Sequence, residues 1–169
     1  MRLVGIAGAL VLCAGVPLSA QNQPAKPTFR FSPEAGAALR SLWQESVAYK
    51  EERVACLASS IRNDTVLVTR IAQVAPEDAD SMGISASTSV ERCGPPEWSG
   101  TVHTHVALYS DDRPSTRFSA QDRIAMRLWY DRWHSDGVFC VVYSREHARC
   151  EADGVVGGLR SGSRPRAVQ

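Results

Sequence analysis

Ala35, Leu39, Leu42, Trp43, Ser46 and Val47 recur at three- and four-residue spacing, a largely apolar stripe that predicts an amphipathic helix from Ser32 to about Tyr49. Its start is well marked. Ser32 suits the N-cap, Pro33 the first turn and Glu34 the positive end of the helix dipole. Roughly Arg53 to Ser59 (RVACLAS) predicts a strand, Asn63-Asp64 a turn, and Thr65 to Val74 a β-branched, alternating partner, so these runs form an antiparallel hairpin. Gly100 to Ala107 (GTVHTHVA) is a third strand. Ser119 to His134 is a second helix, with Ile124, Leu128 and Trp129 or Met126, Tyr130 and Trp133 as its apolar faces, ended by Asp136-Gly137. Val138 to Ser144 is apolar enough for a buried strand, and Arg149 to Ala152 offers it a short partner. Residues 75–97 carry acids, Gly, Ser and a Pro-Pro pair with weak periodicity and are expected as a long loop, as are residues 108–118. No internal repeat occurs. The order predicts a mixed α/β domain with a small, mostly antiparallel sheet flanked by helices.

The ends of the chain divide it further. Met1-Arg2 is a short basic start, Leu3 to Leu18 is uncharged and apolar or small, and Ser19-Ala20-Gln21 resembles a cleavage site. Residues 1–20 are therefore expected to be a secretory signal peptide, too short for a membrane span, and the protein is expected to be secreted or periplasmic. Residues 21–31 are expected as a flexible leader, residues 32–154 as the folded domain, and the Gly-, Ser- and Arg-rich residues 155–169 as a disordered tail.

Export changes the meaning of the cysteines. Cys13 leaves with the signal, and Cys56, Cys93, Cys140 and Cys150 remain, an even number in an oxidising compartment. Cys140 and Cys150 flank an expected hairpin, which favours that disulfide and leaves Cys56 with Cys93. No CxxC occurs, so a four-cysteine zinc site is not expected. Composition narrows the partners. Apolar residues make up 44% of the chain and charged ones 22%, enough for an ordinary core. The formal net charge of +1 lacks the basic surplus that phosphate contacts require, so no nucleic-acid partner is expected.

His103-Thr104-His105 carries the most chemical information. Residues two apart on a strand project to one face, which suits two ligands of one metal ion. Ser119-Ala120-Gln121-Asp122 opens the next helix, and Ser-x-x-Asp is also a capping-box pattern. Capping and metal binding are compatible for an acid in a first turn. Two histidines and one aspartate leave a fourth position open, the composition of a catalytic zinc site. A glutamate nearby could move protons during hydrolysis, with Glu51, Glu52 and Glu97 as candidates.

Glu52-Arg53-Val54-Ala55-Cys56-Leu57-Ala58, then Gly100 to His105, then Ser119 to Asp122, together resemble the JAB/MPN domain with its JAMM metalloprotease motif, in the manner of a bacterial, exported member. The resemblance covers roughly residues 32–150. It implies a JAB/MPN-like, cytidine deaminase-like architecture. It also implies Zn2+ held by His103, His105 and Asp122, with Glu52 as the acid/base acting on water. Ser119 would help stabilise the oxyanion besides capping its helix. The reaction implied is hydrolysis of a peptide or isopeptide amide, and the implied partner is a peptide or other amide-containing substrate.

The chain departs from the family pattern at Val106, where many members have proline, at Ala55, where glycine is common, and in the length of the 106–118 insert. All ligands remain, so these departures bear on substrate preference. Deubiquitination is not the expected activity of an exported chain. A nucleoside deaminase is excluded, because it needs H-x-E and a distant P-C-x-x-C. Two further readings belong to other classes: a non-catalytic, disulfide-stabilised binding module, and a hydrolase-type effector. Trp43, Trp129 and Trp133 are expected in the core, His134 and His147 in solvent. Trp98 could line a substrate groove or pack, and Arg113, Arg117 and Arg123 could meet an acidic group or form a plain surface.

Overall fold

Alternation along the strands sorts the core into two layers, one on each face of a single sheet. The computed structural model describes residues 27–75, 85–107 and 113–152. In chain order these form β1 (Thr28–Phe31), α1 (Pro33–Tyr49), β2 (Val54–Arg62), β3 (Thr65–Gln73), α2 (Ala86–Arg92), β4 (Gly100–Thr104), α3 (Ala120–Trp133), β5 (Val138–Ser144) and β6 (His147–Ala152). The six strands pair in the order β1-β3-β2-β4-β5-β6. β2–β3, β2–β4 and β5–β6 are antiparallel, whereas β1–β3 and β4–β5 are parallel. The expected mixed α/β class, a mostly antiparallel sheet flanked by helices, is what the chain adopts.

Ala35, Leu39 and Leu42 of α1 pack on Ala55, Leu57, Val66, Val68, Val102, Cys140 and Val142. The intervening strand residues, Cys56 and Phe139, turn to the opposite layer and meet Val90 and Cys93 near α2 and Met126 and Trp129 of α3. The choice left open for α3 falls on Met126 and Trp129, while Ile124 and Leu128 face solvent. Ser32 caps α1 as expected, accepting the Ala35 N–H at 3.1 Å. The helix stops where Lys50 takes a left-handed conformation (φ 53°). Val47, assigned to the apolar stripe, is exposed. A Cβ at Gly100 would collide with the Val138 carbonyl, so glycine there permits β4 to start close against β5.

Several boundaries differ from expectation. Residues 21–31 are not leader throughout, because Thr28–Phe31 forms β1 along β3. Phe29 and Phe31 pack on the α1 layer, enough to hold a four-residue edge strand. Within the expected 75–97 loop, Ala86–Arg92 is helical, capped by Ser85; seven residues are too few to display a period. β4 ends at Thr104, short of Ala107, and β2 begins at Val54 and runs to Arg62. Both favoured disulfides are present, Cys56–Cys93 joining β2 to the end of α2 and Cys140–Cys150 joining opposed residues of β5 and β6. The expected signal peptide at 1–20 and tail at 155–169 lie outside the described residues. Among those described, no helix is long and apolar enough to cross a membrane.

Candidate metal centre

Three segments build the site: the C-terminal end of β4, the residues just before β2, and the first turn of α3. Val54 is paired with His103 in the β2–β4 ladder. The Arg53 carbonyl accepts the Thr104 N–H at 3.0 Å, which extends the pairing past β2 and brings Glu52 level with His105. His105 lies just beyond β4, yet its N–H donates to the Val142 carbonyl at 2.8 Å, so the chain still follows β5. His103 and His105 thus share the α3 face of the sheet, as a two-residue separation requires.

Ser119 and Asp122 form a capping box. Ser119 Oγ accepts the Asp122 N–H at 3.2 Å, and Asp122 Oδ2 accepts the Ser119 N–H at 2.6 Å. The same carboxylate faces the histidines. His103 Nε2 lies 3.1 Å from Asp122 Oδ1 and 3.1 Å from His105 Nε2, and His105 Nε2 lies 3.6 Å from Asp122 Oδ2. His103, His105 and Asp122 can therefore hold a metal ion, with one ligand atom from each within 4.8 Å of the others.

The electrostatics couple the carboxylate to both imidazoles. Burial pushes the Asp122 carboxyl up, but hydrogen bonds from His103 and His105, the charge of His103 and the Ser119 amide outweigh it, leaving the group far below the usual carboxylate range. The hydrogen bond to Asp122 pulls the His105 imidazole above its ordinary value; burial opposes this, while the Ser115 carbonyl and the charge of Glu52 add to it. His105 Nδ1 lies 2.9 Å from the Ser115 carbonyl oxygen. A carbonyl can only accept, so Nδ1 carries the hydrogen and Nε2 is left as the ligating atom.

Zinc fits this donor set. At zinc–ligand distances of roughly 2.0–2.2 Å, tetrahedral donors stand roughly 3.3 Å apart. His103 Nε2 stands 3.1 Å from both His105 Nε2 and Asp122 Oδ1, close to that value.

Of the three candidate glutamates, Glu51 pairs with Arg53 at 3.1 Å and Glu97 with Arg70 at 3.1 Å. Glu52 is the one whose charge acts on His105. Trp98 is stacked under Arg70, 4.2 Å from its ring centre, and packs against the α3 layer. Arg123 is paired with Glu151 and lies over Phe118, whereas Arg113 and Arg117 are exposed. His134 and His147 are exposed, as expected. Sequence reasoning missed the Ser115 carbonyl, because any residue carries one. It also missed Phe118, whose ring centre is 6.4 Å from that of His103, though an aromatic beside the Ser-x-x-Asp signal was a usable clue. A recess of about 620 Å³ between Phe31, Leu39, Arg40, Val142 and His147 includes none of the triad.

No family model matches the chain. No curated protein matches it. Among solved structures, it is similar to a JAB1/MPN domain protein from Archaeoglobus fulgidus, with 16% sequence identity over 80% of this chain and 94% of that one and a TM-score of 0.40.

Proposed function

We propose that the chain is an exported, zinc-dependent metallohydrolase of JAMM type that cleaves a peptide or isopeptide amide. The observation that carries this reading is the convergence of His103 Nε2, His105 Nε2 and the Asp122 carboxylate from two separate elements, with the charge of Glu52 alongside. Zinc, when bound by these three ligands, supplies Lewis acidity toward a carbonyl and makes water a nucleophile near neutral pH. Glu52 takes the proton from the attacking water and delivers it to the departing amine. The Ser119 oxygen already accepts the Asp122 N–H, so its own hydrogen is free to donate to a developing oxyanion. The Ser115 carbonyl keeps the His105 ring turned with Nε2 inward.

The domain would span residues 32–154, with β1 as an added edge strand, after a signal peptide at 1–20 and before a tail at 155–169. Two disulfides support an oxidising location, because such bonds persist in exported proteins. The deciding experiment is elemental analysis of the purified mature chain beside His103→Ala and Asp122→Ala. One zinc per chain, lost in both variants, is the expected result. Folded protein that neither contains nor rebinds zinc would sink the hydrolase and favour a binding module.

A further inference from the structure

Thr104 stands between the two histidines but turns the other way, into the α1 layer. It and Ser46 of α1 are both fully buried. Their hydroxyl oxygens are 2.5 Å apart, and Thr104 Oγ1 also accepts the Arg53 N–H at 2.8 Å. The Arg53 carbonyl in turn accepts the Thr104 N–H. The buried hydrophobic cluster around them is built from Ala, Leu, Val and Cys, with Phe, Trp and Ile packed against it. Two buried hydroxyls in such a layer would be costly without bonds to satisfy them, and these two satisfy each other and a backbone amide.

Their position explains the arrangement. The β4 strand ends at Thr104 and β2 begins at Val54, so His105 and Glu52 both lie beyond the paired strands. Ladder-type bonds persist there from the Thr104 N–H to the Arg53 carbonyl and from the His105 N–H to the Val142 carbonyl, but the Arg53 N–H needs a replacement for a ladder carbonyl. Here the Thr104 hydroxyl supplies that replacement, joining the end of β4, the segment before β2 and the last turns of α1 at one buried point.

We infer that Thr104, through Ser46 and the Arg53 amide, is a positioning residue that sets His105 and Glu52 relative to His103. This rests on the metal-site reading proposed above. The test measures zinc affinity of the full mature chain by competition with a chromophoric chelator, together with amide exchange at Arg53 in the metal-free protein. Thr104→Val keeps the shape and removes the hydroxyl; it should weaken zinc binding about tenfold and speed Arg53 exchange. Thr104→Ser restores the hydroxyl and should bind within about twofold of wild type. Val66→Ala, in the same core layer two strands away, controls for general destabilisation and should leave the affinity unchanged.

Wild-type affinity in Thr104→Val, or an equal loss in Val66→Ala, overturns the inference. Should Thr104→Val fail to fold, Ser46→Ala decides. That variant keeps the Thr104–Arg53 bond and should weaken zinc about threefold, and unchanged affinity overturns the inference. Absence of zinc binding by wild type is a separate outcome, which removes the metal reading itself.

Discussion

Asp122 Oδ1 lies 3.1 Å from His103 Nε2, while the other oxygen of the same carboxylate closes the capping box of α3 on the Ser119 N–H. One side chain therefore starts a helix and faces the two histidines with which it could hold a metal ion. The two roles separate chemically, because the cap needs an oxygen acceptor and the metal needs a negative charge. Asp122→Asn keeps an acceptor and loses the charge, so zinc affinity should fall at least about tenfold while α3 stays folded. Ser119→Ala should do the reverse, costing about 1 kcal/mol in thermal or urea unfolding with zinc retained. Equal zinc loss in both variants would mean that the helix start, and not the Asp122 charge, governs the site.

Glu52 is free of the pairings that occupy Glu51 and Glu97. Glu52→Gln should retain full zinc by elemental analysis and lose about 10²–10⁴-fold in turnover of a cleavable amide. Undiminished turnover would move the proton-transfer role to another group.

The pH dependence of the metal-free protein follows from two opposite displacements. Asp122 is held below its ordinary value, so its contribution is present above about pH 4 and is lost as acid protonates it. His105 is held above its ordinary value, so its contribution is complete below about pH 6.5 and fades as pH rises through the displaced pKa. Melting temperatures in chelator should be highest between about pH 4 and 6.5 and decline on both sides. Zinc must displace the His105 proton, so its affinity should fall about tenfold per pH unit below that pKa. A melting temperature that climbs steadily from pH 5 to 9 in chelator contradicts the ion pair.

Cys56–Cys93 closes a sequence separation of 37 residues and Cys140–Cys150 one of 10. In chain-entropy terms the longer closure is worth about 4 kcal/mol and the shorter about 3. Replacing each pair with serines and comparing urea midpoints should rank them in that order. The longer bridge also anchors α2 beneath α3, so its loss should loosen the layer that carries Asp122 before the strands that carry the histidines.

Much of this protein was legible one element at a time. Ser32-Pro33-Glu34 announced α1, the alternation of Thr65 to Val74 announced β3, and VFCVVYS announced β5 at its observed ends, because capping, β-branching and unbroken apolarity act over a few residues. His103-Thr104-His105 and Ser119-x-x-Asp122 could be singled out for the same reason, since a shared strand face and a helix's first turn are local geometry. The β1 strand and α2 were not legible: four and seven residues carry too little periodicity, and each is held by what it docks on.

The residues left three candidate glutamates and the family resemblance implied Glu52, but only tertiary structure supplied the physical reason, a register that brings its charge to bear on His105. Glu51, Glu52 and Glu97 are alike in type, and register across β2 and β4 separates them by pairing Val54 with His103. Tertiary structure also decided that a carbonyl from the insert meets His105 and that Ser46 meets Thr104 across 58 positions of sequence. The physical reason is common to all three. Backbone carbonyls and small hydroxyls gain meaning only from what folding places within hydrogen-bond reach, whereas helix caps and strand faces are written in neighbouring residues.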